Sequence, residues 1–193
     1  MKVIVGLGNP GHTFHATRHN VGFRAIQVLA QRHQVDIGQR TSSPLDGRPA
    51  GVYGEYGSGA QRIRLLMPLT MMNESGEALQ GLDVPMQDLL IVCDDVNLPL
   101  GTLRLRPQGG AGGHHGLESC LAALSTQDVA RLRIGVGIAT LPSDLHHFVL
   151  SPFTAQERPT IDQVIQQAAD ACETWTCDGL EAAMNRHNRA TDA

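Results

Sequence analysis

The chain has 193 residues, enough for one domain with one sizeable core. Its formal charge of −4 excludes the broad basic surface of a sequence-independent nucleic-acid binder. No apolar run approaches the roughly 20 residues of a membrane span, and 4 cysteines without a C-x-x-C pair point to a reducing compartment rather than a zinc ribbon or a disulfide framework.

Val3, Ile4 and Val5 form a β-branched run and read as a buried strand at the amino end, not as a secretory leader. The strand breaks at Gly6, Gly8, Pro10 and Gly11. Gly6-x-Gly8-x-x-Gly11 is a literal dinucleotide fingerprint, and Asp36 lies where a ribose-binding acid would. Against that reading, Pro10 removes an N–H from the turn that would cradle a pyrophosphate, and His12 to His15 do not open an amphipathic helix.

Residues 20–33 read as a helix, 51–56 and 62–67 as strands, and Met71 opens a short helix. Leu89 to Cys93 is the clearest buried strand, followed by Asp94-Asp95 and a loop over 96–101. A strand at 102–106, a glycine-rich turn at 109–116, a helix at 117–124 and a strand at 132–138 come next. Helices over 155–176 and 178–188 close the pattern, and 189–193 read as a disordered tail. Alternating strands and helices predict a single α/β domain over 1–193, its twisted, mixed and partly parallel sheet flanked by helices.

Four polar clusters follow apolar strands or open helices: Asn9 to Asn20, Met71 to Asn73, Asp94-Asp95 and the 109–116 turn. One sheet would bring such strand ends together. They offer histidines, carboxylates and amides, but no serine or cysteine in a nucleophile elbow. That inventory suits hydrolysis by water. A histidine takes the proton, a carboxylate fixes its tautomer, and amides hold a developing oxyanion.

Several of these residues also have ordinary structural readings. His12, His15, His114, His146, His147 and His187 read as solvated by default. His15-x-x-x-His19 has the spacing of a helical metal pair but lacks a third spaced ligand. Asn73 could cap its helix, and Asp94-Asp95 could be a strand-end turn. Arg104, Arg106, Arg131 and Arg133 lie on the two strands flanking the 109–116 turn. They are either a local phosphate-binding patch or four solvated arginines on a sheet face.

These residues stand in segments that resemble the bacterial peptidyl-tRNA hydrolases. The segments are G-L-G-N-P-G (6–11), A-T-R-H-N-V-G (16–22), M-N-E-S-G (72–76), D-D-V-N-L-P-L-G (94–101), G-G-H-H-G-L (112–117) and R-L-R-I-G-V-G (131–137). The resemblance runs from Val3 to about Arg186. It implies a monomeric, cytoplasmic, metal-independent esterase without a cofactor. Such an enzyme cleaves the ester between a peptide and the 3′ end of its tRNA, recycling prematurely released peptidyl-tRNA.

Under this resemblance His19 is the general base and Asp94 the carboxylate that holds it. Asn9 reads the peptide backbone, and Asn73 positions the ester and the water. Phe14 and Met71 contact the tRNA end or the peptide. Arg106 and Arg133, with His114 or His115 nearby, meet tRNA phosphates. His115 replaces the usual amide, Phe14 a common tyrosine, Asn97 an acid and Met71 an aromatic residue. A non-catalytic RNA-binding relative of the same fold and a nucleotide-dependent oxidoreductase are the alternatives; the presence of His19, Asp94, Asn9 and Asn73 favours the esterase.

Overall fold

In the computed structural model, which describes residues 1–44 and 46–188, the apolar runs become the middle of one seven-stranded sheet. The strands are β1 (Lys2–Gly6), β2 (Gln39–Ser42), β3 (Pro49–Tyr56), β4 (Ile63–Pro68), β5 (Leu89–Pro99), β6 (Leu103–Arg106) and β7 (Ala130–Gly137), ordered β2-β3-β4-β1-β5-β7-β6. Strands β4, β1, β5 and β7 run parallel, and the outer pairs β2–β3, β3–β4 and β6–β7 run antiparallel. The mixed, partly parallel sheet is the expected fold class. The predicted tail at 189–193 lies outside the described residues.

Helices α1 (Val21–Arg32), α2 (His115–Leu124), α3 (Leu145–Val149), α4 (Arg158–Asp178) and α5 (Leu180–His187) join a 3₁₀ helix over Met72–Leu79. The pleat of β1 explains the two-sided core. Val3 and Val5 pack with Met72, Leu79, Leu117 and Leu121 on one face, whereas Ile4 packs with Ile26, Leu29, Ile161 and Trp175 on the other. Both faces are covered, so the central strands read as continuous apolar runs rather than alternating ones.

One local expectation needs correction, and two elements went unread. The loop predicted over 96–101 is strand as far as Pro99, which pairs with Gly137 beyond a register shift after Asp95. Gly135 and Gly137 permit this, because a Cβ on either would collide with backbone carbonyls of residues 96–99. Strand β2 escapes sequence reading because Gln39, Arg40, Thr41 and Ser42 carry no apolar residue. Helix α3 escapes it because only Phe148 of its five residues is buried.

The first glycine turn is used for packing. A Cβ on Gly22, at the start of α1, would lie 2.5 Å from the carbonyl oxygens of both Leu7 and Val92. One on Gly8 would lie 2.6 Å from the Phe23 ring. Gly6 and Gly8 thus face α1 itself, which removes the main support for a dinucleotide site.

Candidate active site

The close approach at Gly22 sets the short 3₁₀ turn Arg18–Asn20 against the loop that leaves β1. The Asn20 side chain then acts as a backbone partner for Asn9. Its Oδ1 accepts from the Asn9 N–H at 2.9 Å, and its Nδ2 donates to the Asn9 carbonyl at 2.9 Å. The Asn9 side chain reaches onward, its Oδ1 accepting from the Met72 N–H at 2.7 Å. A backbone N–H must meet oxygen, so this bond fixes the amide and leaves Nδ2 as its remaining donor. The loops after β1 and β4 are therefore locked together through two buried asparagines.

Asp94 lies within β5, not in a strand-end turn, and is 2% exposed. Its Oδ1 meets His19 Nδ1 at 2.8 Å and His114 Nε2 at 2.9 Å. His114 also caps α2: its Nδ1 accepts from the Leu117 N–H at 3.1 Å. That contact fixes its tautomer, with the proton on Nε2 facing Asp94. Burial alone would raise the Asp94 carboxyl, but His114 and His19 outweigh it and hold it well below the usual carboxylate range. An ionised Asp94 only accepts, so His19 donates from Nδ1, and in the neutral ring this leaves the lone pair on Nε2.

The ligating atoms of His19, Asp94 and His114 lie within 4.8 Å of one another, close enough to ask whether they hold a metal. Ligands about 2.05 Å from a tetrahedral ion stand roughly 3.3 Å apart. The observed 2.8 and 2.9 Å contacts converge on one oxygen and fit hydrogen bonds instead. Cys93, next to Asp94, is no nucleophile, because burial pushes its thiol up to about 12.

The depressed carboxyl has a stability consequence. Asp94 in the fold ionises below its unfolded value, so its contribution is complete above about pH 5 and is lost as pH falls through the carboxylate range. The stability difference between wild type and Asp94→Asn in urea titrations should shrink as pH falls from about 5 through the carboxylate range. A difference that grew over that range would contradict the charge assignment.

His19 sits where two lobes of one cleft meet. The larger lobe, about 750 Å³, is lined by Asn9, Phe14, Met71, Met72 and Asn73. The smaller, about 320 Å³, is lined by Asp95, Asn97, Gly112, Gly113 and Arg133. His19, His115 and His146 border both. The structure thus brings together His19, Asp94, Asn9, Phe14, Met71, Asn73 and His115. Asn73 does not cap its helix; Met71 holds that position, and no side chain bonds there.

The four arginines separate into two kinds. Arg131 is 1% exposed and spends its guanidinium on the carbonyls of Gln127, Val129, Gly109 and Gly110. It is a structural brace, contrary to both sequence expectations. Arg133 borders the smaller lobe but pairs with Asp95 Oδ2 at 3.1 Å and donates to the Gly110 and Ala111 carbonyls. Arg104 and Arg106 are exposed on β6, and Arg106 borders neither lobe. His114, read in the sequence as solvated or beside phosphates, is instead buried against Asp94, and the structural role of Asn20 was not foreseen. The available signal for the first was a histidine at the end of a glycine turn, three residues before the predicted helix start.

The family model for peptidyl-tRNA hydrolase matches residues 3–193. The chain belongs to the peptidyl-tRNA hydrolase family. A peptidyl-tRNA hydrolase of Syntrophomonas wolfei is 38% identical over 192 residues, covering 97% of this chain and 100% of that protein. One from Prochlorococcus marinus is 43% identical over 199 residues, covering 97% of this chain and 93% of that one. Among solved structures, the peptidyl-tRNA hydrolase of Acinetobacter baumannii superposes with a TM-score of 0.87 at 29% identity, covering 100% of this chain and 97% of that one. No described helix of the hydrolase is long and apolar enough to cross a membrane.

Proposed function

We propose that this hydrolase cleaves the peptide–tRNA ester by direct attack of water, with His19 Nε2 as general base. The activity itself, hydrolysis of peptidyl-tRNA, is that of its family. One observation carries the assignment of the base: of the rings that border both lobes, His19 is the one held by Asp94, and it is held through Nδ1, which leaves Nε2 as the nitrogen able to take a proton. Nε2 takes a proton from water, and the oxygen attacks the ester carbonyl carbon. The tetrahedral oxyanion collapses and expels the ribose oxygen, which recovers the proton from Nε2–H. Asp94 stabilises the imidazolium formed between these steps. The products are a peptide acid and a tRNA with a free terminal hydroxyl.

An ester at His19 sends its two substituents into the two lobes. Met71, Met72 and Phe14 give the larger lobe a soft apolar lining suited to varied peptide side chains. The smaller lobe, with Arg133 and the glycine loop, suits the 3′ nucleotide. Asn73, exposed on the rim of the larger lobe, is the second amide available to the ester and the water. The intact His19–Asp94–His114 relay favours an enzyme over a non-catalytic RNA-binding relative. Release of labelled peptide from purified peptidyl-tRNA tests the activity; binding without release would overturn it.

Asn9 presents a donor, its acceptor being taken by Met72. A blocked aminoacyl group offers a carbonyl to that donor, whereas a free one offers an ammonium that it repels. Asn9→Asp keeps the Met72 bond and exchanges the donor for an acceptor. The preference for N-blocked over free aminoacyl-tRNA should fall about tenfold, the scale of one lost hydrogen bond to a charged or buried partner. An unchanged ratio of kcat/KM values would remove Asn9 from substrate discrimination.

Arg106, with Arg133 where its pairing to Asp95 leaves charge to spare, meets tRNA phosphates. Arg106→Ala should raise KM for full-length substrate, flatten its salt dependence by about 0.7–0.9 in log–log slope, and spare a minimal ester lacking the tRNA body. Unchanged salt dependence would place the phosphate contacts elsewhere. The hydrolase acts as a monomer: among the described residues its exposed large apolar side chains are Met71, Ile138 and Leu145, and the first and last of these border the substrate cleft. Free thiols at Cys93, Cys120, Cys172 and Cys177 fit the cytoplasm. Neither metal nor cofactor enters the mechanism; activity lost to a chelator and restored by a divalent ion, with tRNA folding controlled, would contradict this.

A further inference from the structure

Arg18, the residue before the base, is 4% exposed. Its Nη2 donates to both oxygens of Glu157, at 3.0 and 2.7 Å. Its guanidinium carbon lies 4.4 Å from the Phe148 ring centre and 4.7 Å from that of Phe153. Its Nε and Nη1 are buried without a hydrogen-bond partner among the described residues. The Arg18 N–H donates to the Ser151 carbonyl at 3.1 Å, and Thr17 bridges to Pro152. The ion pair and both ring contacts of this side chain are with the segment running from α3 to the start of α4. That segment is a wall of the cleft: Leu145, His146 and Val149 border the smaller lobe, and His146 and Leu150 the larger.

A buried guanidinium with two idle donors is a poor way to gain stability, since a well-packed apolar side chain commonly does as well or better. Its planar, stacked and ionic geometry does hold one arrangement. We propose that Arg18 is a positioning residue for the reaction, clamping the turn that carries His19 to the α3 wall through Glu157, Phe148 and Phe153. The inference rests on His19 being the base. Phe148 is the single buried residue of α3, and the Arg18–Asn20 turn is the main element against which α3 packs. Loss of the clamp frees His19 to shift against an ester held by the cleft walls.

Glu157 has a second tie that makes a clean test available. It forms a capping box with Thr154: the Thr154 N–H donates to Glu157 Oε2 at 2.8 Å, and the Glu157 N–H to Thr154 Oγ1 at 3.3 Å. Glutamine serves in such a box as glutamate does, so Glu157→Gln keeps the cap and removes the charge. In Arg18→Met/Glu157→Gln the apolar stem stays and both charges go.

The experiment measures thermal unfolding and steady-state cleavage of N-blocked aminoacyl-tRNA by wild type, the double variant, Glu157→Gln and His19→Ala. The double variant should keep or raise Tm yet lose about tenfold in kcat, with KM within about twofold, as a small misplacement of a reacting group costs. A double variant with preserved Tm and wild-type kcat would make the clamp purely structural and overturn the proposal. If the double variant does not fold, Glu157→Gln decides: a similar kcat loss at unchanged Tm supports the clamp, and an unchanged kcat overturns it. A nearly inactive His19→Ala beside fully active clamp variants rejects the clamp alone. An active His19→Ala removes the base assignment and the clamp with it.

Discussion

Replacing His19 by alanine lowers kcat for peptidyl-tRNA by about 10²–10⁴, the usual share of a positioned general base. The loss is that large because, of the three rings that border both lobes, His19 is the one bonded to Asp94. His114 cannot substitute, since its Nδ1 is bound to the Leu117 N–H and its Nε2 to Asp94. Asp94→Asn costs less, because an imidazole remains, poorly oriented and without a charge to stabilise its protonated form. KM should change little in His19→Ala, as the lobe walls are untouched. Near-normal turnover by a folded His19→Ala variant would exclude His19 as the base.

Gly22→Ala costs about 3 kcal/mol or more in urea unfolding. The added Cβ would stand 2.5 Å from two carbonyl oxygens, Leu7 and Val92, and 2.6 Å from the Leu7 nitrogen. Those are backbone atoms of the strand ends that define the site, and no rotamer change can relieve them. Helix α1 must move away, carrying the His19–Asn20 turn with it, so activity falls with stability. Gly110→Ala is the control: a Cβ there meets nothing within 4 Å, and its stability should stay within about 0.5 kcal/mol of wild type. Equal stability of the two variants would contradict the packing described at Gly22.

The sequence made the central strands legible because Val3 to Val5 and Leu89 to Cys93 are buried on both faces and carry no polar interruption. The segments around His19, Asp94, Asn9 and Asn73 marked them as candidates, and the fold does bring these residues to one cleft. What stayed hidden depends on neighbours distant in the chain. A histidine that caps a helix with one nitrogen and meets a buried carboxylate with the other looks, as a letter, like His12 or His15 in solvent. Arg131 and Arg133 stand two positions apart on one strand with the same charge. Only the fold turns the first wholly onto loop carbonyls and leaves the second at the rim of a lobe. Arg18 carries no sign in the sequence of its partner Glu157, which lies 139 residues away.

The tautomers of the two imidazoles are the core of this account, and nitrogen NMR of histidine-labelled protein reads them directly. At neutral pH the account predicts His19 protonated on Nδ1 with Nε2 bare, and His114 protonated on Nε2 with Nδ1 accepting from the helix. Assignment follows from His19→Ala and His114→Ala spectra. A His19 ring protonated on Nε2, or on both nitrogens, at a pH where the enzyme turns over would contradict the account.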